Sequence, residues 1–136
     1  MNDVPKTPPL PEPVFRKETG LRHLFAAARY SYQGLQRLWK EAAFRHEVLA
    51  FGAGLALLGV IAAPFYHYLI FTVTMLLLFA VEALNTAIEE IVDRVSPEFS
   101  SVGRHAKDLG SFSVFCLLLV NSGFVLYSFV TTLFFF

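Results

Sequence analysis

The chain has 136 residues, 55% of them hydrophobic, and a formal net charge of zero, with a mean hydropathy of +0.54. That length allows one domain, and so apolar a composition excludes an ordinary soluble fold and makes the bilayer the natural solvent. The single cysteine, Cys116, rules out an intrachain disulfide and reads as a small core or lipid-facing residue, and no nucleic-acid partner is expected.

Residues 1–20 hold five of the seven prolines and little to bury, which describes a disordered cytosolic tail. They lack the apolar core of a signal peptide. From about residue 21 to 40, Leu21, Leu24, Phe25, Ala28, Tyr32, Leu35, Leu38 and Trp39 recur at helical spacing. Arg22, Arg29, Arg37 and Lys40 lie between them. The pattern predicts an amphipathic helix on the inner membrane surface, its bases available to anionic head groups, with Gly34 as a possible bend. Residues 21–136 then form one membrane domain. Its first span covers about 42–64, with Gly52, Gly54, Ala56 and Gly59 permitting close helix approach. The string GAGLALLG has no strand–turn–helix context and is no dinucleotide loop. A second span covers about 65–95 and stops at Ser96-Pro97, because proline disfavours helical geometry in the residue before it. A helix restarting near Ser96 leads into a third span over about 106–136. No Asp, Glu, Lys or Arg occurs from Val48 to Val81 or from Leu109 to Phe136, and each block exceeds the roughly 20 residues a spanning helix needs. Eight of the eleven Lys and Arg residues precede His46, and the other three lie between Arg94 and Lys107. The positive-inside rule therefore places the N-terminus and the 94–107 loop in the cytoplasm. The expected fold class is an all-α membrane protein with three transmembrane helices and an N-terminal surface helix.

Between the two charge-free blocks, residues 82–110 carry six acids and three bases. Glu82, Asn85, Glu89 and Asp93 are spaced by three, four and four, so they share one helical face, with Thr86 beside them. Carboxylates where a membrane helix emerges are costly and by default mark a functional site. With Lys107 and Asp108 across a short loop, this face suits either a divalent cation with phosphate or the passage of protons. Hard oxygen donors favour magnesium, which binds through one or two carboxylates plus substrate phosphates, and a lysine supplies a point charge for phosphate. No GxxxxGK[ST] or soluble-kinase signature is present, and no Cys or His pair has zinc spacing.

From His23 to Phe115 the chain resembles the small prokaryotic diacylglycerol kinases. The likeness rests on YSYQGLQRLWKEAAFRHE (Tyr30–Glu47), EALNTAIEEIVDRV (Glu82–Val95) and AKDLGS (Ala106–Ser111). The resemblance implies a homotrimeric helical bundle in the bacterial inner membrane, with active sites shared between subunits. It implies transfer of the ATP γ-phosphate to the hydroxyl of diacylglycerol at the cytoplasmic face, giving phosphatidic acid, with Mg2+ as cofactor. It makes Glu82 the base for the lipid hydroxyl, Asn85 an orienting amide beside it, and Glu41 and Glu89 the metal carboxylates. Ala27, Tyr30, Glu41, Glu89, Asp93, Lys107 and Asp108 become nucleotide contacts, and Glu47, with Glu82, shapes the lipid pocket. The chain departs from the family pattern at His46, where that pattern has a glutamine, and at His105, where it has an arginine.

Related undecaprenol kinases share EALNTAIE-like and AKD motifs, so undecaprenol is the alternative substrate. Two readings from other classes remain. A proton or ion translocator would use Glu82 and Glu89 as relays, but only Thr72 and Thr74 continue a polar path from Val81 back to His67. A membrane adaptor would leave the one-face acids unexplained. Glu90 and Glu98 read as solvated charges, and Arg94 and Arg104 as positive-inside anchors. His23 and His67 read as interfacial side chains rather than ligands. Phe112, Phe115, Phe124, Phe129 and Phe134 read as lipid-facing bulk.

Overall fold

The computed structural model describes residues 20–96, 98 and 100–135, the last without its side chain. The proline-rich tail, apart from Gly20, and the proline at 97 lie outside the described residues. The chain divides into two compact units, Met1–Tyr32 and Gln33–Phe136. In the first, Gly20 takes a left-handed φ of 70° and its carbonyl accepts the Leu24 N–H at 3.3 Å, opening helix α1 (Leu21–Leu38). Leu21, Leu24, Phe25, Arg22 and Arg29 are all exposed there. The helix runs through Gly34 and ends at Leu38, two residues before the expected limit.

In the second unit, the end of α1 turns sharply into α2 (Ala42–Val60). Arg45 reaches back and its guanidinium donates to the carbonyls of Trp39 at 3.0 Å and Lys40 at 2.9 Å. These are acceptors that the end of a helix leaves without partners. Glu41 is extended (φ −75°, ψ 130°) and redirects the chain. Phe44 then lies buried between the edges of Trp39 and Phe79, with ring centroids 6.1 and 5.2 Å away. At the far end of α2, the N–H of Ala63 donates to the Leu58 carbonyl at 2.9 Å and that of Ala62 to Gly59 at 3.1 Å. This pair of bonds needs a left-handed residue, and Ala62 supplies it at φ 53°. Pro64 follows and opens α3 (Phe65–Val95).

Helix α3 is the spine. Its buried residues, His67, Phe71, Met75, Leu78, Glu82, Asn85 and Thr86, form one stripe at steps of three and four. Leu58, Ala63, Phe71, Met75 and Leu78 make the apolar core, with Phe51, Leu55, Val114, Leu117 and Phe124 packed around it. Gly54 of α2 is required at this contact, because a Cβ there would overlap the Phe71 ring. Helix α4 (Ser101–Phe135) runs back antiparallel along α3. It begins at Ser101 and not near Ser96, because the Ser100 hydroxyl caps it, accepting the Gly103 N–H at 3.0 Å. In mid-span Thr74 donates to the Asn121 side-chain oxygen at 2.8 Å, and the Asn121 amide donates to the Thr74 carbonyl at 3.3 Å. Lipid is as apolar as the side chains it competes with, so such bonds and close packing carry helix association. Exposed Leu69, Val73, Leu76, Leu84, Phe112 and Leu119 present an apolar outer surface suited to hydrocarbon.

The lipid-facing expectation fails at Phe124. His67 is completely buried, against the rings of Tyr66, Phe124 and Tyr127, and neither ring nitrogen has a partner among the described residues. Phe124 consequently packs inward, unlike the exposed Phe112, Phe115, Phe129 and Phe134. Both follow from the pairing of α3 with α4, which no single-helix pattern reveals.

Candidate active site

A helix rises about 1.5 Å per residue, so the 31 residues of α3 cover about 46 Å against about 30 Å of hydrocarbon. Helix α2, with 19 residues, matches one hydrocarbon thickness at about 28 Å. Starting from Phe65, about 20 residues bring α3 to the Glu82–Asn85 region, where it must leave the apolar layer. The core stripe therefore changes chemistry at the boundary. Below it lie Phe71, Met75 and Leu78; beyond it lie Glu82 and Asn85, 5% and 8% exposed.

Four carboxylates gather at this end. Glu89 follows Asn85 by one turn and accepts the Asn85 amide at 3.0 Å. Glu47, one turn into α2, is 6% exposed, and one of its oxygens has no partner among the described residues. Glu41 stands at the α1–α2 corner. The charges of Glu89 and Glu41 act on Glu82, and that of Glu82 acts on Glu47. Such a set of like charges invites a cation. Asn85 is held on its other side by Gly110 of α4, whose missing side chain is the space Asn85 fills. The amide thus serves Glu89, from a place one turn beyond Glu82 on the same buried stripe.

Arg37, absent from the sequence-derived site, neutralises part of this charge. Its Nη1 donates to Glu41 at 2.7 Å, and its Nε pairs with Glu90 of α3. Glu90 is therefore ion-paired rather than simply solvated. Hydrogen bonding to Glu41 above all raises the Arg37 pKa, so the guanidinium stays charged. No single-helix periodicity predicts this pairing; the i, i+4 spacing of Arg37 and Glu41 was its only trace.

Across the loop, Lys107 donates to Asp93 at 2.5 Å and ties α4 to α3. The pair opens onto a cleft of about 220 Å³ that Ser96, Ser100, Arg104 and Asp108 also line. Tyr30 lines a separate concavity of α1 with Arg22, Phe25, Ala26 and Arg29, while Ala27 is exposed on the same helix. A larger apolar cavity of about 590 Å³ runs along α2, α3 and α4, with Glu47 at one end and Asn121 and Ser122 along its wall.

Magnesium fits the donors: all are carboxylate oxygens, and both Glu41 and Glu89 act on the same buried Glu82. Among the described residues no group of three His, Cys, Asp or Glu side chains forms a metal cage. Glu41 and Glu89 are the side chains that would hold the ion.

These features define a helical membrane protein with a buried carboxylate centre at one end of its bundle. The model of the prokaryotic diacylglycerol kinase family matches residues 29–129. The chain is 54% identical over 111 residues to a diacylglycerol kinase of Sinorhizobium sp, covering 82% of this chain and 81% of that one. It is 38% identical over 105 residues to a diacylglycerol kinase of Haemophilus influenzae, covering 76% and 89%. It is 36% identical over 108 residues to a diacylglycerol kinase of Escherichia coli K12, covering 75% and 84%. The chain belongs to the prokaryotic diacylglycerol kinase family.

Proposed function

We propose that the chain is a membrane diacylglycerol kinase, transferring the γ-phosphate of ATP to the free hydroxyl of diacylglycerol at the cytoplasmic face of the bacterial inner membrane. The observation that carries this reading is the buried Glu82, set where α3 leaves the apolar core and flanked by Glu47, Asn85 and Glu89. A lipid keeps its acyl chains in hydrocarbon, so its hydroxyl can meet a water-soluble nucleotide only at such a boundary.

The hydroxyl oxygen attacks the γ-phosphorus, the bond from phosphorus to the β,γ-bridging oxygen breaks, ADP leaves, and the hydroxyl proton passes to Glu82. Glu47 lines the mouth of the apolar cavity and orients the glycerol end of the lipid. Asn85 fixes the Glu89 carboxylate. Lys107, steadied by Asp93, offers its charge to phosphate oxygens, and Asp108 stands beside it in the cleft. Tyr30 and Ala27 are the proposed nucleotide contacts on α1. Bound at Glu41 and Glu89, magnesium would neutralise phosphate charge. A homotrimer with sites shared between subunits suits a chain whose single copy leaves its cavity open along α2 and α4.

A translocator is disfavoured because buried Met75 and Leu78 separate Glu82 from the Thr74–Asn121 pair. The test is to offer short-chain diacylglycerol and undecaprenol in competition with labelled ATP and identify the lipid product. Phosphatidic acid as the main product supports the reading. Undecaprenyl phosphate as the main product replaces it with the alternative, and no lipid product removes both.

A further inference from the structure

The Arg37 guanidinium bridges two carboxylates with different prospects. Glu41 belongs to the candidate metal pair and acts electrostatically on Glu82. Glu90 sits next to Glu89 in sequence but points away from the Asn85 face, and its contact with Arg37 ties the last turn of α1 to α3. Arg37 and Glu41 are 41% and 39% exposed at their side chains and Glu90 51%, so neither pair is locked in by desolvation. Exposed ion pairs of this kind contribute little to stability and exchange readily. Glu41 itself sits in the extended corner between α1 and α2, whose outgoing carbonyls are held independently by Arg45. The corner therefore keeps its shape without Arg37, and the guanidinium is free to answer to charge.

We propose that Arg37 is a built-in counter-ion for Glu41, shared with Glu90, which yields Glu41 to the divalent cation and is retained on α3 by Glu90 when it does. The inference rests on the kinase reading for the identity of that cation's role. A guanidinium and a metal ion cannot both saturate one carboxylate, so Arg37 competes with the metal. Glu90 weakens that competition by giving the guanidinium a second place to rest. Arg37 is thus a positioning residue that sets the metal requirement rather than a group that touches the reacting atoms.

The two partners then have opposite effects, which a merely structural clamp would not produce. In full-length protein in mixed lipid–detergent micelles, manganese binding is titrated by electron paramagnetic resonance with a non-hydrolysable ATP analogue. Arg37→Gln should lower the half-saturating manganese concentration about two- to five-fold, and Glu90→Gln should raise it by a similar factor, the range expected of exposed pairs. Glu90→Asp should restore the wild-type value. Arg37→Lys, which keeps the charge but loses the planar fork, should give a smaller shift in the direction of Arg37→Gln. Lys40→Gln removes a neighbouring base that pairs with no carboxylate among the described residues and should leave the value unchanged. In the kinase assay the magnesium requirement should follow the same order, with kcat at saturating magnesium within about two-fold of wild type.

The proposal is overturned if Arg37→Gln and Glu90→Gln both weaken binding, if neither shifts it, if Lys40→Gln shifts it equally, or if the wild type binds no manganese saturably. If the wild type phosphorylates no diacylglycerol, the kinase reading falls while the manganese order still decides the role of Arg37.

Discussion

Replacing Gly110 by alanine tests whether the α3–α4 contact builds the site. The new Cβ would overlap the Asn85 side-chain oxygen and come within 3.2 Å of its Cγ. Asn85 is 8% exposed and its amide is engaged with Glu89 at 3.0 Å, so it cannot swing aside without surrendering that bond. Overpacking one methyl group into such a contact costs typically about 1–3 kcal/mol. Relief requires either a shift of α4 or a new rotamer of Asn85, and both displace Glu89. A misplacement of about 1 Å at a reacting centre can cost about 100-fold in rate. We expect Gly110→Ala to lose about 1–3 kcal/mol in a reversible denaturant titration in mixed micelles and most of its kinase activity. Adding Asn85→Ala makes room for the methyl group, so the double variant should recover stability relative to Gly110→Ala but not activity, because the amide that holds Glu89 is gone. Wild-type stability and turnover in Gly110→Ala, or recovery of activity in the double variant, would refute the reasoning.

Glu82→Gln should leave a folded, membrane-inserted protein with turnover lowered about 10²–10⁴-fold, the usual worth of a general base, and turnover within a few-fold of wild type would remove Glu82 from the mechanism. Glu41→Ala and Glu89→Ala should each raise the magnesium requirement; unchanged magnesium dependence and ATP affinity in both would dismiss the metal assignment. Ala62→Gly should stabilise the chain by about 1 kcal/mol, since a non-glycine residue in the left-handed region costs roughly that much. Ala62 is exposed, at φ 53°, and loses no packing, so a denaturation midpoint that does not rise would count against the strain. Co-assembling inactive Glu82→Gln with inactive Glu41→Ala subunits should restore measurable activity if sites are shared between subunits; mixtures as inactive as either parent would require each chain to build its site alone.

Much of this molecule is written in local sequence. Charge-free blocks of spanning length mark the membrane helices, because a bilayer leaves an unpaired backbone no option but internal hydrogen bonds. The steps from Glu82 to Asp93 place the acids on one face, because helical periodicity belongs to a single segment and needs no partner. Tertiary structure decided which of those acids are buried and by what. Gly54 faces Phe71 and Gly110 faces Asn85, whereas Gly52 and Gly34 meet nothing within 4 Å, although all are equally glycine in the sequence. His67 and Phe124 turn inward on each other, and Arg37 joins Glu41 to Glu90 of α3, a residue remote in the sequence. Such pairings depend on the register and rotation of one helix against another. Those are set by the sum of many small packing contacts along the interface, and no one segment carries that sum.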